Sequence, residues 1–153
     1  MVPYLRLREE NLAAVFVGTG RKKKYGSKEG YPVPEEVSVK KIKNSDFSGV
    51  IIPGGYAPDI LRREEEMVSF VKKINEEKKL VAAICHGLWM CVSADILKNK
   101  NVTCFFSIKD DVVNAGAEYI DKEVVVDGNL ITSRNPYDLP YFFREAVGFL
   151  GRK

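Results

Sequence analysis

The residues with the clearest chemical potential are Cys85 and His86, which directly follow a short apolar run, Leu80–Ile84. A run of this kind is typical of a strand that is buried on both faces of a sheet. Cys85 would therefore lie on a tight turn between a strand and a helix, as the nucleophile does in a nucleophile elbow. The helix is predicted by apolar residues that recur at every fourth position: Leu88, Val92 and Ile96.

A cysteine at the start of a helix faces unpaired N–H groups and a partial positive charge, which favour thiolate over thiol. The thiolate is the nucleophilic form, so the position predicts a reactive Cys85. A buried structural cysteine remains the alternative, because free cysteines are commonly buried in protein cores.

His86 is the only histidine in the chain. A Cys–His pair requires the imidazole within hydrogen-bond reach of the sulfur, whereas helix neighbours point about 100° apart. A strained elbow would make the contact less unfavourable, although no adjacent residue is an obvious group to orient the ring. His86 could instead be an ordinary polar residue near a helix start. The lack of a second histidine argues against a glutamine amidotransferase triad.

The composition predicts one α/β domain spanning residues 1–153, with 45% hydrophobic residues and a formal net charge of +3. The basic stretch at residues 21–24 lacks interleaved aromatic residues, which favours a solvated loop over a nucleic-acid site. We see no signal peptide and no run long enough to span a membrane. The three cysteines form neither an even disulfide set nor a zinc spacing. We therefore expect a cytoplasmic protein with reduced thiols and no metal, cofactor, nucleic-acid or membrane partner.

Strands and helices alternate along the predicted chain, which implies a mostly parallel sheet covered on both faces. Strands are predicted at residues 12–17, 37–41, 49–53, 80–84, 102–105, 119–120, 124–126 and 130–132, with a hairpin turn at 127–129. Helices are predicted at residues 3–10, 59–77 and 110–115 and from about Asp138 onward.

In such sheets the chemistry lies beyond the carboxyl ends of the strands, where Gly54 and Gly55 would join Cys85. Backbone N–H groups at a Gly-Gly turn can approach an oxyanion closely. A plain tight turn would use the same glycines.

Four stretches of the chain resemble the PfpI family of intracellular cysteine proteases and deglycases, within the glutamine-amidotransferase-like superfamily. They are residues 51–59 (IIPGGYAPD), 83–87 (AICHG), 107–118 (SIKDDVVNAGAE) and 124–134 (VVVDGNLITSR). The resemblance implies a flavodoxin-like three-layer sandwich with Cys85 as nucleophile and His86 as its partner. Backbone N–H groups near Gly55 and His86 would hold the oxyanion, and Gly54, Gly55 and Tyr56 would form the oxyanion and substrate site.

The resemblance to this family implies an oligomer in which a glutamate of the neighbouring subunit orients the histidine. Alignment on the Pro-Gly-Gly stretch gives that role to Glu65. The alternative is a solvated carboxylate that complements the helix dipole, like Glu64 and Glu66. The resemblance thus implies a homo-oligomer, a dimer or hexamer, with an interface site for a peptide or small-molecule substrate.

The chain departs from the family pattern at several positions. Leu88 and Trp89 replace a usual proline and glutamine, and Tyr56 replaces a common arginine. Family members also begin with a strand and an acidic turn residue that hydrogen-bonds the cysteine, whereas Met1 falls inside the following helix. The absent strand would lie between the strands predicted at residues 12–17 and 49–53. Because neighbouring strands lie ~4.8 Å apart, its absence would leave a gap of about 10 Å between these two strands. We expect a fragment or a misassigned start; a genuine start would predict poor stability and weak or absent activity.

The sequence as a whole predicts a cysteine hydrolase in which the Cys85 thiolate attacks the carbonyl of a peptide or a glycated adduct. One alternative is a redox-sensing stress-response or chaperone-like protein, because an exposed, reactive thiol is also readily oxidised. The other alternative is an inactive truncated paralogue.

Overall fold

A four-stranded sheet forms the centre of the computed structural model, which describes residues 1–27 and 30–151. The helices in these ranges are α1 (Val2–Glu9), α2 (Ala57–Leu61), α3 (Glu65–Glu76), α4 (Leu88–Ser93), α5 (Lys109–Asn114) and α6 (Leu139–Gly151). The strands are β1 (Val17–Gly18), β2 (Lys24–Gly26), β3 (Pro32–Pro34), β4 (Val37–Ser38), β5 (Gly49–Ile52), β6 (Leu80–Ile84), β7 (Asn101–Val102), β8 (Glu118–Tyr119), β9 (Val124–Asp127) and β10 (Leu130–Ser133).

The central sheet has the strand order β5-β6-β10-β9. β6 pairs in parallel with β5 and β10, and β9 is antiparallel to β10. This confirms the prediction of an α/β fold with a mostly parallel sheet. Ile52 lies opposite Ala83, and Ser133 lies opposite Ile84. The carboxyl ends of three parallel strands therefore meet at the edge of the sheet where Cys85 follows β6.

β6 is fully buried because helices cover both faces of the sheet. Val81 and Ala83 belong to a core cluster that includes the buried stripe of α3, whereas Leu80, Ala82 and Ile84 pack on the other face with α6. Alternate residues of a strand point to opposite faces, so a strand covered on both sides must be apolar throughout. The buried helix residues on the two faces are Met67, Phe70, Val71 and Ile74 of α3, and Phe142, Phe143 and Ala146 of α6.

The predicted strands at residues 12–17 and 37–41 are wrong over most of their length. β1 and β4 pair with each other only at Val17–Val37 and Gly18–Ser38. Residues 12–16 join no ladder, and residues 39–41 form a 3-10 turn whose Lys40 N–H donates to the Ser38 hydroxyl. β1 and β4 form a sheet separate from β5, and β5 pairs only with β6 within the described chain.

Three predicted elements are shorter or broken. The helix predicted at 59–77 is two helices, because Glu64 has an extended backbone and its carboxylate pairs with Arg21 at 2.8 Å. The helix after Cys85 ends at Ser93, since Asp95 takes a positive φ of 55°. The strand predicted at 102–105 ends at Val102, the last residue of the short β7–β8 ladder.

The remaining predicted elements are found close to their expected places. α1, α5, α6 and the strands β5, β6, β8, β9 and β10 match the predicted positions within a few residues. The turn at 127–129 joins the antiparallel pair β9–β10, with Gly128 at φ 65°. Among the described residues, no helix is long and apolar enough to cross a membrane.

Candidate active site

Cys85 lies on the predicted turn between a strand and a helix. β6 ends at Ile84, and residues Cys85–Gly87 form a 3-10 turn that leads into α4. The φ of Cys85 is 63°, in the left-handed region that non-glycine residues seldom occupy. Strain of this kind persists where the surrounding structure enforces it, and it is concentrated at functional sites. The geometry is that of a nucleophile elbow.

Two glycines leave the space that this elbow requires. A Cβ placed on Gly54 would lie 2.6 Å from the Cβ of Cys85 and 3.1 Å from its sulfur. A Cβ placed on Gly87 would lie 2.7 Å from the carbonyl oxygen of Ile52. Gly54 therefore leaves room for the side chain of Cys85, and Gly87 allows the start of α4 to pack closely against β5.

The Cys85 sulfur and the Nδ1 atom of His86 are 3.2 Å apart. This contact between sequence neighbours, doubtful on a regular helix, is formed because Cys85 has left-handed backbone geometry. The other ring nitrogen, Nε2, lies 3.2 Å from the Ser107 hydroxyl. The site thus contains a continuous polar chain from sulfur to imidazole to hydroxyl.

Sequence reasoning assigned no role to Ser107. The residue approaches the elbow because the segment after β7 runs beside it, and the Phe105 N–H donates to the Cys85 carbonyl oxygen at 3.5 Å. The sequence shows only that Ser107 is a polar residue shortly after a predicted strand that ends near the same edge of the fold. This places Ser107 near the site but does not identify His86 as its hydrogen-bond partner.

Aromatic side chains enclose the imidazole of His86. The ring of Trp89 lies 5.0 Å away in an edge-on arrangement, and the ring of Phe105 lies 5.1 Å away with a 31° tilt. Trp89 is itself anchored, because its indole N–H donates to a carboxylate oxygen of Asp111 at 2.7 Å. Trp89 stands where the resemblance predicts a glutamine, so an apolar wall replaces a polar one beside the histidine.

Gly55 and Tyr56 lie beyond the end of β5, close to the elbow in the fold. Gly55 has a φ of 74°, and no atom of the described residues outside its chain neighbours lies within 4 Å of where its Cβ would be. Tyr56 precedes α2 and is 68% exposed. Of the three residues, Gly54 is the one in direct contact with the side chain of Cys85.

Glu65 is the first residue of α3 and is exposed. Its neighbours Glu64 and Glu66 pair with Arg21 and Lys40. Within residues 1–27 and 30–151, the Glu65 carboxylate has neither a hydrogen bond nor an ion pair, and the ring nitrogens of His86 contact Cys85 and Ser107. A single chain therefore does not bring Glu65 to the histidine.

The other two cysteines have different surroundings from Cys85. All three are free thiols, but Cys91 and Cys104 are buried whereas Cys85 is partly exposed. Burial raises the pKa of both the Cys91 and the Cys104 thiol to about 12. The described residues contain no cluster of three or more His, Cys, Asp or Glu side chains that could hold a metal ion.

The fold and this site define a class, the α/β proteins that carry a cysteine on a nucleophile elbow with a histidine beside it. The family model described as DJ-1/PfpI matches residues 1–148. The chain belongs to the DJ-1/PfpI family.

Individual relatives cover nearly the whole chain. Deglycase TK1284 of Thermococcus kodakarensis is 43% identical over 148 residues, which are 97% of this chain and 89% of the relative. YraA of Bacillus subtilis, named as a candidate cysteine protease, is 39% identical over 97% of this chain and 88% of its own length.

A solved structure extends the similarity to three dimensions. The two-domain protein of Anabaena variabilis, with DJ-1/ThiJ/PfpI-like and ferritin-like domains, superposes with a TM-score of 0.95 at 40% identity. The match covers 98% of this chain and 43% of that protein.

Proposed function

We propose that this protein is a cysteine hydrolase that removes glycation adducts from amines, with Cys85 as the nucleophile. The observation that carries the proposal is the 3.2 Å contact between the sulfur of Cys85, on its strained elbow, and Nδ1 of His86. A nucleophile and a base within hydrogen-bond reach are the diagnostic pair of covalent catalysis. The name of the 43% identical relative from Thermococcus kodakarensis, a deglycase, supports this choice of substrate.

The first chemical step is the same for a glycated amine and for a peptide. Nδ1 of His86 takes the thiol proton of Cys85, and the sulfur then forms a bond to the substrate carbonyl carbon while the carbonyl electron pair moves to oxygen. In a peptide the attacked carbon holds the nitrogen, so its C=O re-forms as the C–N bond breaks, the amine takes the imidazolium proton, and a thioester remains. In an amine glycated with glyoxal the nitrogen lies on the neighbouring hemiaminal carbon, whose hydroxyl gives its proton to the new oxyanion and becomes C=O as the C–N bond breaks, and the amine takes the imidazolium proton. The hemithioacetal that remains becomes a thioester when the proton on its sulfur-bearing carbon moves to the neighbouring carbon and its hydroxyl proton moves to the neighbouring oxygen. In both cases water then hydrolyses the thioester to a carboxylic acid and restores the thiol.

Backbone N–H groups beside the elbow would receive the negative oxygen. The open space at Gly55 lets a substrate oxygen approach the main chain without meeting a Cβ. The His86 N–H follows the nucleophile directly, which is the usual place for one oxyanion donor in an elbow. Tyr56, largely exposed at the same edge, forms an outer wall for the substrate.

The function is tested by offering the purified protein both substrate classes. We expect release of free amine from Nα-acetyllysine glycated with glyoxal, and slower or no cleavage of a fluorogenic peptide library. Cleavage of peptides without deglycation would instead support the peptidase function suggested by the name of YraA. Absence of turnover on both classes would contradict the hydrolase proposal.

A redox-sensing role is the second candidate, because Cys85 is partly exposed whereas the other thiols are buried. Mild peroxide would convert an exposed reactive thiol to sulfenic or sulfinic acid. Stoichiometric oxidation at Cys85, found by mass spectrometry in a protein without measurable turnover, would favour sensing over hydrolysis.

We further propose that Glu65 acts on His86 of a neighbouring subunit in a homo-oligomer, either a dimer or a hexamer. Support comes from the contrast along the first turn of α3, where Glu64 and Glu66 have ion-pair partners in the chain and Glu65 has none in the described residues. A carboxylate near the imidazole would stabilise the imidazolium formed during the reaction.

Mixing two impaired variants tests this composite site. Cys85→Ser subunits lack the nucleophile and Glu65→Gln subunits lack the carboxylate, so each preparation alone is expected to be weakly active or inactive. After subunit exchange at equal amounts, random assembly gives about a quarter of the sites both intact groups, and activity should recover toward that fraction. Glu66→Gln is the matched control and should retain activity, since Glu66 pairs with Lys40 of its own chain. A mixture no more active than the mean of its components would contradict the role of Glu65.

A further inference from the structure

Among the described residues, Ser107 supplies the one polar side chain that contacts the far side of the His86 imidazole. Its oxygen lies 3.2 Å from Nε2, while Nδ1 on the opposite side of the ring faces the Cys85 sulfur at the same distance. We propose that Ser107 is a positioning residue that fixes the tautomer and orientation of His86 so that Nδ1 serves as the base. This inference rests on the hydrolase function proposed above.

The proton positions follow from the partners of the two ring nitrogens. In the resting pair the thiol donates to Nδ1, so Nε2 must carry the ring proton and donate it to the Ser107 oxygen. When the thiol proton moves to Nδ1, the imidazolium keeps the same Nε2–H donor and the same acceptor. A hydroxyl can also donate to a bare Nε2, so Ser107 selects this tautomer when its own O–H is donated to another acceptor, such as a carboxylate. It stabilises the charged ring in either case, because the imidazolium offers Ser107 only an N–H donor.

Without an acceptor at Nε2, the opposite tautomer would compete. Its proton would lie on Nδ1 and point at the sulfur, which leaves no lone pair to accept the thiol proton. Turning the ring over would replace both nitrogens by carbons at the two contacts, and both hydrogen bonds would be lost. Phe105 and Trp89 restrict the ring on its other sides but offer no acceptor to Nε2.

A structural role does not account for this hydroxyl. Ser107 is exposed and lies within the 3-10 turn Phe106–Ile108, which has no side-chain cap. Within the described part of the chain, its Oγ has His86 as its hydrogen-bond partner and no other. The hydroxyl also keeps its own O–H available, so it can donate to a carboxylate while it accepts from the imidazole. The roles proposed for Ser107 and for Glu65 are therefore compatible.

The single histidine makes a direct test possible, because ¹⁵N NMR of the labelled imidazole reports His86 alone. In the wild-type protein we expect the neutral ring to carry its proton on Nε2. Ser107→Ala should give a mixture of tautomers, slow Cys85 alkylation at neutral pH by about three- to tenfold, and move the midpoint of the alkylation profile to higher pH. Ser107→Thr, which keeps the hydroxyl, should restore both the tautomer and the profile.

Ser45→Ala is the matched control, because Ser45 is also an exposed serine in a 3-10 turn but lies before β5, at the opposite end of the sheet. A tautomer ratio and alkylation profile in Ser107→Ala equal to those of wild type and Ser45→Ala would overturn the proposal. An equal change in Ser107→Ala and Ser107→Thr would also overturn it, since the hydroxyl would not be the cause. These readouts need no substrate, so a protein without turnover would refute the hydrolase function while the tautomer of His86 still decides the role of Ser107.

Discussion

Replacement of Cys85 with serine is expected to abolish turnover, with a loss of at least about 10³-fold, because loss of a nucleophile removes the covalent route altogether. The serine hydroxyl would occupy nearly the same place, so the fold should survive. Turnover of a glycated amine by wild type and variant at equal concentration measures the effect.

The same substitution should remove the reactive thiol. Burial raises the pKa of Cys91 and Cys104 to about 12, so at neutral pH both remain protonated and inaccessible. Iodoacetamide should therefore modify the native wild-type protein once, at Cys85, and leave native Cys85→Ser unmodified. Cys91→Ala serves as the control and should keep both the labelling and the turnover. Labelling at Cys91 or Cys104 before Cys85 would contradict this assignment.

Gly54→Ala is expected to have the second largest effect, although it adds only one methyl group. The new Cβ would lie 2.6 Å from the Cβ of Cys85 and 3.1 Å from the carbonyl oxygen of Ile84, so the elbow must shift. Overpacking of this kind destabilises a fold by about 1–3 kcal/mol. A displacement of the nucleophile by ~1 Å lowers activity by about 10²-fold. Urea unfolding and turnover measure the two effects separately.

A second glycine provides the control for this substitution. Gly148 lies in α6, and no atom of the described residues outside its own helix lies within 4 Å of its added Cβ. Gly148→Ala should leave activity unchanged and stabilise the protein by about 0.5–1 kcal/mol, because alanine has the higher helix propensity. Equal activity in Gly54→Ala and Gly148→Ala would show that the contact between Gly54 and the nucleophile is unimportant.

The elbow could be predicted from sequence because its signals are local. The apolar run of β6, the residues Cys85 and His86 and the glycine after them are adjacent in the chain, and burial on both faces of the sheet imposes that pattern. The contact between Cys85 and His86 was less certain, since it depends on a backbone torsion that periodicity does not report.

The errors occur where structure depends on a distant partner. Residues 12–16 are apolar enough for a strand, but β4 offers β1 only two residues to pair with. The break between α2 and α3 coincides with an ion pair between Glu64 and Arg21, which lie 43 positions apart. Ser107 is 21 positions from His86, and no spacing rule links the two. The role proposed for Glu65 requires a second subunit, which one sequence does not specify.

The most direct test of the central claim is acid-quenched turnover followed by peptide mass mapping. If the Cys85 sulfur attacks the substrate carbonyl, the peptide that contains Cys85 should carry a substrate-derived mass during turnover, and this mass should disappear once the substrate is exhausted. Cys85→Ser should show neither the adduct nor the product. Sustained product formation by Cys85→Ser would contradict the account.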